Sequence, residues 1–267
     1  MRTIVFTDLD GCLLDHRDYS FDAALPALAE LKRRGIPLII ATSKTRAEVT
    51  PIRERLGIDH PFIVENGGAI VYPPGAHHLA VEGCVDDDGA RIEIRGASYD
   101  ALRRFIVEHR EEYGITGFGD MTPDAVAALT GLSTEEAARA QKRVFSEPFS
   151  LAYERRLPDL AKRAASRGLA ILRGGRFYHC VASGHDKGTA ARALLERYRG
   201  ALGGDLRSIA IGDAENDLPL LRAATDPVLL PRSDGVHIAC DIPRLFRATQ
   251  PGPRGWAEAV LALCGGR

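Results

Sequence analysis

The stretch Ile4-Val-Phe-Thr-Asp8-Leu-Asp10-Gly11 decides how this 267-residue chain is read. An apolar, β-rich run ends abruptly in two carboxylates one residue apart and a glycine. Strands buried on both faces of a parallel sheet read as such apolar runs, and ligands bind beyond their carboxyl ends. Two acids placed there repel each other unless a cation or a proton sits between them. One can then act as nucleophile and the other as acid/base with Mg²⁺ neutralising the pair. The same pattern also suits a solvated Asp-x-Asp-Gly turn, so the rest of the chain has to decide.

Outward from this run the two periodicities alternate. Residues 21–34 carry Ala and Leu at helical spacing until Gly35 stops them, and Ile36-Pro-Leu-Ile-Ile-Ala41 reads as a second buried strand. That is β-α-β, the unit of a parallel sheet. A helix is predicted over 46–56, closed by Gly57, and a strand begins at Phe62. Near the other end, 187–198 reads as helix, 208–212 as strand, 217–224 as helix and 226–230 as strand. Between these halves the texture changes. Strand-like pieces at 80–83, 91–95, 149–154, 170–173 and 177–181 mix with helices over 99–113 and 122–141, without strict alternation. The expectation is an α/β protein with core parts 1–81 and 183–267 and an α+β insert over 82–182.

A second acidic run favours chemistry over a turn. Ser208-Ile-Ala-Ile-Gly212-Asp213-Ala-Glu-Asn216-Asp217 again sets carboxylates just past an apolar strand, and Mg²⁺ needs only a few because it keeps several waters. Thr42 and Ser43 stand at a third strand end, and Lys187 opens a helix after Gly184-His-Asp186. Hydroxyls, backbone N–H groups at a helix start and an ammonium are what a phosphoryl group needs around it.

Taken in order, Asp8-Leu-Asp10-Gly11, Thr42/Ser43, Lys187 and Gly212-Asp213-x-x-Asn216-Asp217 resemble the four motifs of the haloacid dehalogenase superfamily of phosphatases. The insert is similar in size to the α/β cap of its Cof-type (IIB) branch. Within that branch, Ser43-Lys-Thr-Arg46-Ala-Glu48, Glu65-Asn-Gly-Gly68, Gly117-Phe-Gly-Asp-Met121, Phe145-Ser-Glu-Pro-Phe149 and Gly174-Gly-Arg-Phe-Tyr-His179 look like the mannosyl-3-phosphoglycerate phosphatases. The resemblance implies a Rossmann-like parallel-sheet core with an inserted α+β cap. It also implies Mg²⁺-dependent removal of phosphate from a small phosphorylated sugar-glycerate. Asp8 would be the nucleophile and Asp10 the acid/base, with Mg²⁺ on Asp8, Asp10, Asp213 and Asp217. Lys187 and one of Thr42 and Ser43 would hold the phosphoryl oxygens. Two departures stand out: Cys12 occupies a position where the family commonly has Thr, and Ala214-Glu215 replaces a frequent Ser-Pro.

Substrate choice is expected from the insert and its surroundings, where Lys44, Arg46, Asn66, Arg143, Arg173 and Arg176 are candidates, the cationic ones for a glycerate carboxylate. An arginine in such a segment is more often a solvated surface charge, and His179 more often packs beside Phe177 and Tyr178 than binds ligand. Alternatives within the class are a glucosyl-3-phosphoglycerate phosphatase, a broad sugar-phosphate phosphatase or a phosphosugar mutase. Outside it stands a non-catalytic sensor of a phosphorylated metabolite, against which speaks the intact set of reactive groups.

Composition sets the outer limits. With 35 basic against 36 acidic residues and a net charge of −1, no broad basic field is present to hold nucleic acid. No uncharged apolar stretch approaches the length of a spanning helix, and the first apolar run is too short for an export signal. A cytoplasmic protein, monomeric or weakly dimeric and without membrane or nucleic-acid partners, is expected. The five cysteines are scattered, odd in number and without a C-x-x-C pair, which fits reduced thiols.

Overall fold

A computed structural model describes residues 2–265. The chain opens with β1 (Arg2–Thr7), α1 (Leu25–Arg33), β2 (Leu38–Ile40), α2 (Arg46–Leu56), β3 (Phe62–Val64), β4 (Ala69–Tyr72), β5 (Val85–Asp87) and β6 (Ala90–Ile94). It continues through α3 (Tyr99–Tyr113), β7 (Ile115–Gly117), α4 (Pro123–Thr130), α5 (Thr134–Ala140), β8 (Ser146–Leu151), α6 (Leu157–Ala165), β9 (Leu169–Arg173) and β10 (Tyr178–Ala182). It closes with α7 (Lys187–Leu202), β11 (Leu206–Gly212), α8 (Leu218–Ala223), β12 (Asp226–Leu229), β13 (Phe246–Arg247) and α9 (Gly252–Cys264).

The expected α/β core is present as a parallel sheet in the order β13-β12-β11-β1-β2, with β1 paired in parallel to both β2 and β11. The first strand is therefore central, flanked by strands from both ends of the chain. Because side chains alternate across a strand, Val5 enters one buried layer with Leu31 and Trp256, while Ile4 and Phe6 enter the other with Leu194 and Leu221. Helices on both faces explain why the middle of β1, Ile4-Val-Phe6, is continuously apolar rather than alternating. Trp256 is fully buried, and its Nε1 donates to Thr7 Oγ1 at 2.9 Å, tying α9 to the strand that carries Asp8.

Two antiparallel sheets complete the molecule. One runs β7-β8-β10-β9 and has its own apolar cluster, in which Phe105, Phe149 and Leu160 are buried. The other runs β3-β4-β6-β5, so strand pairing passes across residue 82: β6 at 90–94 pairs with β4 at 69–72. A single parallel bridge from Ala41 to Ile63 carries β3 alongside the end of β2.

Several elements differ from the sequence reading for local reasons. The strand predicted at 80–83 lies instead at Val85–Asp87, inside the acidic run read as a turn. Asp88 and Gly89 have φ of 44° and 71°, the backbone of a two-residue hairpin, so the Asp-Gly pair joins β5 to β6. The helix predicted over 122–141 is two helices. Gly131 at φ 78° ends α4, and Ser133 with Glu136 forms a capping box that starts α5. By contrast α2 has the predicted bounds, with a Thr45/Glu48 capping box at its start and left-handed Gly57 at its end. The cysteines are all free thiols.

Candidate active site

Asp8 sits at the first position beyond β1, 7% exposed, with its N–H donating to the Ile211 carbonyl of the neighbouring β11. The end of β11 delivers Asp213 beside it. Lys187, the first residue of α7, is fully buried with Nζ 2.9 Å from Asp8 Oδ1 and 2.6 Å from Asp217 Oδ1. The other Asp217 oxygen accepts from the backbone N–H groups of Asp213 and Ala214, both at 3.1 Å. Asp217 thus fixes the lysine and the β11–α8 turn together. Gly11 has φ 74°, and a Cβ there would lie 2.6 Å from Asp213 Oδ2, so only glycine lets the two acidic segments approach so closely.

Three carboxylates around one ammonium leave a surplus of negative charge. Burial, joined by Asp217 and Asp10 and opposed by Lys187, pushes Asp8 up to about 7. Burial, joined by Asp217 and Asp8, holds Asp213 well above the usual carboxylate range. Lys187 keeps its proton because Asp217 and Asp8 outweigh its burial. Ligand atoms of Asp8, Asp213 and Cys12 lie within 4.8 Å of one another. Two buried carboxylates that are both costly to ionise fit a hard divalent cation. Cys12 Sγ donates to Asp213 Oδ1 at 3.5 Å, and its thiol is held well above its ordinary value by burial and by Asp213. Asp217, with both oxygens engaged, lies outside this converging group.

Of the two hydroxyls at the third strand end, Thr42 is buried and accepts at Oγ1 from the Lys44 N–H, whereas Ser43 lines the cavity with Asp8 and Asp10. The cavity has a volume of about 140 Å³. Its far wall comes from the insert, through Phe118, Arg143, Arg176 and His179.

The remaining candidates fall in different places. Lys44 is on the wall, with Nζ 3.0 Å from Asp10 Oδ2. Asn66 is fully buried and does not line the cavity; its Oδ1 accepts from Asn216 Nδ2 at 3.0 Å, and Asn216 does line it. Arg143 lines the cavity, but its Nη1 donates to the Ser43 carbonyl at 2.7 Å and its Nε to the Ala140 carbonyl at 2.6 Å. Arg176 donates to the Thr130 carbonyl at 2.8 Å and lies by the Tyr19 hydroxyl. Arg46 pairs with Asp87 of β5, and Arg173 is exposed over the Tyr178 ring, so neither lines the cavity. His179 is buried, and burial lowers it to about 3, leaving a neutral ring at the cavity wall.

Sequence reasoning missed Tyr19 and His16, which reach the cavity from the loop after β1. It also gave no role to Glu65. That carboxylate is 1% exposed and accepts from the N–H groups of Val144 and Phe145, each at 3.0 Å, and from Ser146 Oγ at 2.8 Å. Glu65 follows the apolar strand Phe62-Ile-Val just as Asp8 follows β1, and that was the signal available. Nothing in the sequence marks Tyr19.

Residues 5–82 match the haloacid dehalogenase-like hydrolase family. A glucosyl-3-phosphoglycerate/mannosyl-3-phosphoglycerate phosphatase of Persephonella marina is 39% identical over 97% of this chain and 96% of its own. One from Methanococcoides burtonii, of the same name, is 39% identical over 99% of this chain and 98% of its own. A solved Bacteroides thetaiotaomicron phosphatase of the haloalkanoate superfamily shares the fold, with a TM-score of 0.67 at 20% identity over 99% of this chain and 96% of that one. Phosphatases of this superfamily generally use a divalent metal, which the Asp8 and Asp213 carboxylates suit. Among the described residues no helix is long and apolar enough to cross a membrane. With its strand-end acids, buried lysine and full-length likeness to two phosphatases, the chain belongs to the haloacid dehalogenase-like hydrolases, in one family with those relatives, and is a phosphatase.

Proposed function

We propose that this phosphatase removes phosphate from mannosyl-3-phosphoglycerate, and from its glucosyl counterpart, to give the glycosylglycerate and inorganic phosphate. The observation that carries the reading is the reach of the likeness. Identity of 39% with two phosphatases named for both substrates extends over 97% and 99% of the chain, so it includes the insert that forms the far wall of the cavity.

In the reaction, an Asp8 carboxylate oxygen attacks phosphorus as the bond to the glycerate oxygen breaks, and Asp10 delivers a proton to that leaving oxygen. Asp10 then takes a proton from water, whose oxygen attacks the aspartyl-phosphate, releasing phosphate and restoring Asp8. Lys187 and a hydroxyl of the Thr42–Ser43 pair bind the non-bridging oxygens. Asp8, Asp213 and the Asp10 backbone carbonyl would hold Mg²⁺, which supplies positive charge against the phosphoryl oxygens when bound. Asp217 acts at one remove, by fixing Lys187. The insert read as 82–182 serves as a cap that admits substrate and then excludes water, its moving part beginning after β6.

The test is phosphate release with Mg²⁺ from mannosyl-3-phosphoglycerate, glucosyl-3-phosphoglycerate, mannose 6-phosphate and 3-phosphoglycerate, with Asp8→Asn and EDTA as controls. A strong preference for the two glycosyl compounds, abolished by either control, is expected. Equal rates across the panel would leave a broad phosphatase and remove the substrate assignment.

A further inference from the structure

Lys44 stands on the cavity wall with its ammonium between two carboxylates, Asp10 Oδ2 at 3.0 Å and Glu48 Oε1 at 3.7 Å, and with the Tyr19 ring centroid 5.1 Å away. Its side chain is only 9% exposed. The other Asp10 oxygen, Oδ1, is buried without a hydrogen-bond partner. A residue that has to meet the leaving oxygen is therefore tethered by one oxygen to a neighbouring cation.

The other cations near the cavity are committed to protein groups. Arg143 is bonded to the Ser43 and Ala140 carbonyls, Arg176 to the Thr130 carbonyl, and Lys187 to Asp8 and Asp217. Lys44 differs because its nearest partner is needed elsewhere.

We propose that Lys44 is a carboxylate-exchange switch and the determinant of carboxylate specificity: it holds Asp10 in the free enzyme and releases it when a substrate carboxylate takes its place. The natural ligand named here rests on the phosphoglycerate reading above. The chemistry itself needs only a phosphate monoester with a carboxylate near the ester oxygen. In a 3-phosphoglycerate skeleton the carboxyl carbon is two bonds from the carbon bearing that oxygen. A carboxylate seated on Lys44 therefore leaves the ester oxygen beside the freed Asp10. An ester without a carboxylate offers Lys44 no such partner, and Asp10 stays held. Discrimination then appears in kcat as well as in KM.

The experiment compares 3-phosphoglycerate with glycerol 3-phosphate, for the wild type and for Lys44→Met. In the variant, kcat/KM for 3-phosphoglycerate falls by roughly 100-fold, as for truncating one partner of a buried charge pair. Its kcat for glycerol 3-phosphate rises several-fold, because Asp10 is no longer tethered. Opposite signs for the two substrates separate the switch from a structural role, which lowers both. Equal losses overturn the proposal. A second measurement needs no variant: acetate at constant ionic strength, with chloride as control, is expected to speed wild-type hydrolysis of glycerol 3-phosphate by occupying Lys44. No acceleration overturns the proposal even if Lys44→Met does not fold. Failure of the glycosyl compounds in the earlier panel, with this contrast intact, removes the glycosyl assignment and leaves the switch standing. A glycosyl preference without the contrast does the reverse.

Discussion

The two walls of the cavity are built by different rules. On the core wall, Asp8 and Asp213 follow buried strands of one sheet, and Lys187 opens a helix packed on that sheet. Their positions are set by backbone that the parallel ladder already fixes. On the insert wall, Arg143 lies between α5 and β8, and Arg176 in the turn between β9 and β10. These side chains are held by bonds to groups far away in sequence, Arg143 to Ser43 and Arg176 to Thr130, with one local bond from Arg143 to Ala140 beside them. One wall is placed by secondary structure, the other by tertiary contact.

Replacing Lys187 puts the most strain on that contrast. Lys187→Met leaves Asp8 and Asp217 buried without their cation, and stability is expected to fall by about 3–5 kcal/mol, read from urea unfolding, together with loss of turnover. A variant as stable as the wild type would mean that the core wall is not held by its charges. Glu65→Gln tests the exception, a core-side residue whose acceptors serve the insert. Its exchange weakens the bonds to Val144, Phe145 and Ser146 and should cost about 1–3 kcal/mol, with a higher KM.

The insert wall has its own acid sensitivity. His179 titrates near 6.5 in an unfolded chain but is lowered to about 3 in the fold, by burial first and then by Arg143 and Lys187. Between those values the unfolded chain binds a proton that the folded chain refuses, so stability falls as pH drops through this window. From pH 7 to pH 5 the loss attributable to this residue is about 2 kcal/mol, and His179→Gln is expected to flatten the dependence in urea unfolding at the two pH values. An unchanged slope in the variant would show that the ring is not buried neutral. The smallest effects belong to the arginines off the cavity. Arg46→Ala, whose partner Asp87 is 62% exposed, and Arg173→Ala should each shift stability by less than about 1 kcal/mol and leave kcat/KM near wild type. A large KM effect in either would move the cavity boundary.

The same contrast explains what could be read beforehand. Strand-end acids, the helix-opening lysine and the capped helix α2 all announce themselves within a few residues, because the physics that places them is local. The split between α4 and α5 was equally local, written in Gly131 and Ser133, but helical composition on both sides concealed it. The hairpin at Asp88-Gly89 was hidden by the charge of the strand leading into it. Tyr19 and the bond from Arg143 to Ser43 are different in kind. They depend on which loop lies against which, and no window of sequence contains both partners.

The hydrogen bond from Trp256 to Thr7 joins residues 249 positions apart. During synthesis β1 is made long before its partner β11, and it is completed as the middle of its sheet only when β11 and α9 have followed. At about 5–20 residues per second, roughly 10–50 seconds separate the making of β1 from that of β11 and α9, and until then the strand lacks one neighbour. Residues 99–182, with an apolar cluster of their own, have no such delay. The acids at the ends of β1 and β11 therefore meet only after the whole of the intervening segment has been made.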